Sequence, residues 1–188
     1  MIGDSMRIDK RTYINKDVTE KMINYFDEQS IDQKKERQVI YTYHTETDFR
    51  LIRTKNYVKL DLKTNDIHKE NRVYIHKNYE ADIIHILTQI GMYVAVKRYR
   101  IRHMYHYNNF YITIDENMKY GNVFRISFDY KTEEEKEKNL IQIKKIYDYF
   151  EITESSMETF QELYSKYRTS WADLTKDIDE EIFLKEDI

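Results

Sequence analysis

Apolar residues recur along this chain with two different periods. Val18, Met22, Ile23 and Phe26 share one helical face, and Asn15 stands where an N-cap belongs. Ile83, Ile84, Leu87 and Ile90 repeat that spacing and stop at Gly91, a residue suited to a helix end. Thr132, followed by Glu135, predicts a capping box ahead of the stripe Leu140, Ile143, Ile146 and Tyr147. A fourth helix is predicted over 156–171, carrying Phe160, Leu163, Tyr164 and Tyr167.

Between these helices the period becomes two. Val58, Leu60 and Leu62 alternate with Lys59, Asp61 and Lys63, and Phe110, Ile112 and Ile114 alternate with Tyr111, Thr113 and Asp115. Phe124, Ile126 and Phe128 alternate likewise with Arg125, Ser127 and Asp129. Further strands are predicted over 7–13, 38–44, 72–76 and 94–105. Successive side chains of a strand point to opposite faces, so each strand has an apolar face for helices to cover. The fold class expected is α+β with a mostly antiparallel sheet. No repeat and no linker rich in Gly, Ser or Pro interrupts it, so one domain is expected over 1–174. The acidic stretch TKDIDEEIFLKEDI, 175–188, is expected as a mobile tail.

Composition narrows the classes. There is no cysteine, which removes disulfides and thiolate chemistry. Aromatic residues reach 14%, too many for a disordered chain. No apolar run approaches the roughly 18 residues of a membrane helix, and MIGDSMRIDKR lacks a signal-peptide core. An intracellular protein, cytoplasmic or nuclear and away from membranes, is expected. The phosphate-loop, dinucleotide, zinc-protease and serine-hydrolase signatures are all missing. His103 and His106 fall on opposite faces of a predicted strand, which argues against a histidine metal site.

Charged residues make up 35% of the chain, yet the net charge is only -3, so their placement matters more than their sum. The polar strand faces gather Arg7, Asp9 and Arg11; Lys59, Asp61 and Lys63; Arg98, Arg100 and Arg102; and Arg125 with Asp129. On an open sheet this is a solvated surface. In a closed one the same residues line a cavity that needs counter-charge, and arginine's planar fork suits phosphate. The run RYRIRHMYHY also fits single-stranded nucleic acid, where phosphates meet cations and bases stack on aromatics.

The segment KRYRIRHMYHYNNFYITIDENMKYGNVFRISFD resembles the second half of the CYTH, or triphosphate tunnel metalloenzyme, superfamily. Tyr105, Asp115, Gly121 and Phe124 fall at that family's positions. RIDKRTYI is similar to its opening Glu-x-Glu-x-Lys strand, LDLK (Leu60 to Lys63) to its Leu-Thr-x-Lys strand, and ESSMETFQELYSKY to its terminal helix. The resemblance implies a sheet closed into a tunnel-like barrel with helices outside. It implies a phosphate grip by Arg11, Lys63, Arg100 and Arg102, with Arg125 added to that lining. The ligand class implied is a triphosphate or polyphosphate: a nucleotide, an inorganic chain or an RNA 5′ end.

The departures concern the family's metal-binding glutamate pairs. Arg7 replaces the first member of the opening pair and leaves Asp9. The middle pair keeps Glu70, with Arg72 at its partner's place, and the final pair becomes Arg125 and Ser127. Asp9 and Glu70 are the surviving metal ligands, with Asp61, Asp115 and Asp129 available to a rearranged site for Mg²⁺ or Mn²⁺. Active, such a protein would hydrolyse a phosphoanhydride with metal assistance. Inactive, it would be a scaffold or subunit that binds protein or nucleic acid. No catalytic residue is assigned.

Overall fold

The computed structural model describes residues 5–63, 70–117 and 119–185. In chain order they form β1 (Met6–Ile14), α1 (Lys16–Gln29), β2 (Asp32–Tyr43), β3 (Asp48–Arg53), β4 (Tyr57–Lys63), β5 (Glu70–His76) and α2 (Glu80–Gln89). There follow β6 (Val94–Tyr107), β7 (Phe110–Asn117), β8 (Asn122–Tyr130), α3 (Glu133–Tyr149), α4 (Met157–Thr175) and α5 (Glu180–Lys185). The strands make one 8-stranded sheet in the order β1-β8-β7-β6-β2-β3-β4-β5. The α+β class with a mostly antiparallel sheet is therefore as expected. The expected closure is not made by strand pairing: among the described residues β1 and β5 stand at the two ends of the order.

Local signals account for the helix starts. The Asn15 side chain accepts from the Val18 N–H at 2.8 Å. Thr132 and Glu135 form the reciprocal capping box. Gly91 takes φ +80° after α2, a left-handed conformation that glycine adopts at no steric cost. β3 was not anticipated, and its burial explains why. Leu51 and Ile52, on opposite faces, are 0% and 3% exposed, so the segment lacks the alternation of a half-exposed strand.

The chain divides into two compact units, Met1–Lys35 with Arg102–Leu163, and Glu36–Ile101 with Tyr164–Ile188. In the first, Phe110, Ile112 and Ile114 of β7 join Phe124, Ile126 and Phe128 of β8. Met22 and Phe26 from α1 and Ile143, Tyr147 and Phe150 from α3 cover them. In the second, Leu51, Val58 and Tyr43 pack with Leu87 of α2, while Val39 and Tyr99 pack with Phe183 and Leu184 of α5.

The acidic segment expected as a tail thus contributes to a core. A buried guanidinium fixes its place. Arg53, 8% exposed, donates to Glu80, to Glu180 and to Glu181, and to the Tyr41 hydroxyl at 2.9 Å. Lys97 pairs with the same Glu180. Burial pushes the Glu180 carboxyl upward, yet the bonds from Lys97 and Tyr41 outweigh it and hold the group below its usual 4.5. The apolar side of α5 is where its stability is readable. Phe183→Ala is expected to cost ~3 kcal/mol in chemical denaturation. A loss below ~0.5 kcal/mol, the size of an ordinary surface change, would show that α5 is not docked.

Candidate functional site

Register places the basic residues of the first unit side by side. In the β1–β8 pair, Arg7 stands opposite Asp129, Asp9 opposite Ser127, and Arg11 opposite Arg125. In the β7–β8 pair, Ser127 faces Tyr111 and Arg125 faces Thr113. Directly opposed residues share a face, so this surface carries a row of two arginines that repel each other. Each leans on something else. Arg125 Nε lies 3.3 Å from Asp9 Oδ1. Arg11 lies 4.4 Å over the Phe160 ring and 3.3 Å from Met157 Sδ, at the start of α4. No carboxylate is within ion-pair distance of Arg11 among the described residues. Arg7 donates to Ser127 Oγ at 2.6 Å and lies 5.5 Å over the Tyr111 ring. Asp129 is exposed and makes no ion pair with it. Asp9, Arg11, Glu154, Met157 and Phe160 line a cavity of 500 Å³.

Arg102 is placed differently. It donates two parallel bonds of 2.6 Å to Asp115, which is 7% exposed. Such a bidentate pair spends the planar fork on the protein itself. The neighbouring histidines separate as the strand period requires, His103 Nε2 2.7 Å from Glu116 Oε1 and His106 stacked on Tyr111.

In the second unit the polar rows run across β3, β4 and β5. Lys63 is opposite Asp48 on one side and Glu70 on the other, and Asp61 is opposite Arg50 and Arg72. Asp61 Oδ2 lies 2.9 Å from Lys59 Nζ, and Asp61 Oδ1 lies 3.0 Å from Arg72 Nε. Burial would raise the Asp61 carboxyl, but these two cations leave it below the ordinary 3.8. Arg100 Nε donates to Gln38 Oε1 at 2.7 Å. The side chain of Glu70 lies outside the described residues.

A divalent cation wants several oxygen ligands that are free to turn toward it. Here Asp9 faces Arg125, Asp61 faces Lys59 and Arg72, Asp115 faces Arg102, and Asp48 faces Arg50. No group of three His, Cys, Asp or Glu that could hold a metal occurs among the described residues. Among the described residues the donor set does not fit a resident metal ion.

No family model matches the chain, and no curated protein does. Solved structures do. A candidate adenylate cyclase from Vibrio parahaemolyticus is 14% identical, with a TM-score of 0.59 over 87% of this chain and 99% of its own. A candidate adenylyl cyclase from Hippeastrum, in which triphosphatase activity is dominant, is 12% identical, with a TM-score of 0.57 over 87% and 96%. The fold is CYTH-like. A chain from the Schizosaccharomyces pombe Mediator head module shares it at 10% identity and a TM-score of 0.54, over 77% of this chain and 95% of its own. At these identities the likeness concerns backbone architecture and leaves the chemistry to the side chains. The polar face of this sheet carries Arg7, Arg11 and Arg125 on β1 and β8.

Sequence reasoning missed two arginine contacts. The contact of Arg11 with Phe160 and Met157 joins positions far apart in the chain and has no local signal. Arg53 was hidden because its strand went unrecognised. No helix is long and apolar enough to cross a membrane among the described residues.

The Asp61 pairing has a pH consequence. A carboxylate whose folded pKa is depressed stabilises the fold above its unfolded value and loses that contribution as pH falls through the folded one. The difference in stability between wild type and Asp61→Asn is therefore expected to be full near neutral pH and to shrink below about 3.8. Urea denaturation of both proteins as a function of pH checks it; a difference that does not vary with pH contradicts the pairing.

Proposed function

We propose that this chain binds a triphosphate-bearing ligand on the polar face of its sheet, with Arg11 and Arg125 as principal phosphate contacts. One observation carries the reading. Arg11 and Arg125 stand opposite each other across β1 and β8, and only the exposed Asp9 compensates them. An exposed pair of this kind contributes at most about 1 kcal/mol, so an incoming phosphate competes easily for the guanidiniums. Arg11 is held by a ring and a sulfur, neither of which demands its hydrogen bonds. Lys63, Arg100 and Arg102 remain candidates for further phosphate contacts, with Arg102 the weakest because Asp115 occupies its fork. The triphosphatase activity of the Hippeastrum protein supports the ligand class.

Binding follows from the charge balance. Phosphate oxygens would supply the counter-charge that the opposed arginines lack and accept paired hydrogen bonds from each planar fork. Mg²⁺ or Mn²⁺ enters this reading only as a companion of the ligand's phosphates. No hydrolytic step is assigned. A second reading, a CYTH-like scaffold or subunit that binds protein or nucleic acid, is favoured by the carboxylates held in ion pairs and by the likeness to the Mediator chain.

Tripolyphosphate at about a hundred times its Kd is expected to stabilise the fold by ~2.7 kcal/mol, read as a saturable thermal shift at low salt. The shift should survive EDTA and disappear in Arg11→Ala and Arg125→Ala. A shift that both variants retain would contradict the site. No shift in the wild type, with or without Mg²⁺, would favour the scaffold reading.

A further inference from the structure

A second and larger cavity, 810 Å³, lies within the unit formed by Met1–Lys35 and Arg102–Leu163, walled by α1, α3 and the β6–β7 hairpin. Its size falls in the range of roughly 300–1,000 Å³ typical of small-molecule sites. None of the residues proposed above for phosphate contacts lines it. Along α3 the lining stripe runs Lys138, Gln142, Lys145 and Tyr149, at the spacing that keeps side chains on one helical face. Tyr149 is 69% exposed at the C-terminal end of this stripe, with its ring 5.4 Å from that of Tyr25. The Tyr25 and Tyr107 hydroxyls meet at 3.2 Å. That bond, together with burial, pushes the Tyr25 hydroxyl up to about 12, so it stays neutral at physiological pH.

Lysines on a helix surface are ordinary, but these differ from their neighbours. Lys136 pairs with Glu133 at 2.8 Å. Lys131, Lys138 and Lys145 have no carboxylate within ion-pair distance among the described residues, although all three line the cavity. Of the two lining acids, Glu135 spends its carboxylate on the backbone N–H groups of Lys131 and Thr132. Asp129 is exposed. In a chain with a net charge of -3, this lining carries three lysines against two acids, next to aromatic rings and amides. Asn109 and Asn139 add a bonded amide pair at 2.7 Å.

We infer that this cavity binds a nucleoside phosphate, its base against Tyr149 and Tyr25 and its phosphate among Lys131, Lys138 and Lys145. Stacking on aromatic rings is tolerant of base identity, and unpaired ammonium groups supply the phosphate attraction. The nucleotide is either free or part of a single strand; both present the same chemistry. Neither Arg11 nor Arg125 lines this cavity.

The test uses the full chain and fluorescence anisotropy with two probes, labelled AMP and a labelled single-stranded pentanucleotide. The variants Lys138→Ala/Lys145→Ala and Tyr149→Ala alter exposed positions and should melt as the wild type does. Each is expected to weaken probe binding about ten-fold or more. AMP binding should be retained in Arg11→Ala and Arg125→Ala, which separates this cavity from the arginine row. Tighter binding of the pentanucleotide, with a log–log salt slope of about -2 for three lysines, upholds the site and assigns it to single strands. Equal binding of both probes upholds it for free nucleotides. Unchanged affinity in both variants, or no binding of either probe, overturns the inference.

Discussion

Guanidinium groups placed along one face of a sheet repel one another unless counter-charge stands among them, and much of this molecule's polar chemistry follows from how that constraint is met. Arg102 is met by Asp115, Arg72 and Lys59 by Asp61, and Arg50 by Asp48. On β1 and β8 compensation is thin, since Arg11 and Arg125 face each other and Asp9 is shared out to one of them. In the compensated rows the cations and carboxylates are engaged with each other. The thin row is where an external anion gains most.

Charge compensation also decides where the chain ends up on the covered side of β3. Arg53 is buried, and a buried guanidinium left alone would carry a large desolvation cost. Glu80 from α2 and Glu180 and Glu181 from α5 meet it. The ion pairs give position, while Phe183 and Leu184 supply the apolar burial that holds α5 down. An acidic stretch that looks solvated in isolation becomes a core element because a buried cation takes two of its partners from it.

Much of the architecture was legible before any coordinates. The stripes of α1, α2, α3 and α4, the caps at Asn15 and Thr132, and the alternation of β4, β7 and β8 lie where the sequence places them. β3 was not legible, because a strand buried on both faces loses the period-two signature. The docking of α5 was not legible either, since nothing local marks Glu180 as a partner for Arg53. Of the site, the identity of the basic residues was readable and their partners were not. Arg102 looked like a phosphate contact in the sequence; its bidentate bond to Asp115 appears only when β6 and β7 lie side by side.

The sequence by itself determined which side chains share a face, because the two-residue period of a strand and the 3.6-residue period of a helix are properties of the backbone. It also determined the helix starts, which depend on contacts within a few residues. Only the tertiary structure decided which charges meet. Cross-strand neighbours such as Arg11 and Arg125, and long-range partners such as Arg53 and Glu180, are set by register and packing between distant segments. A shift of one residue would exchange every one of those partners while leaving the local pattern untouched.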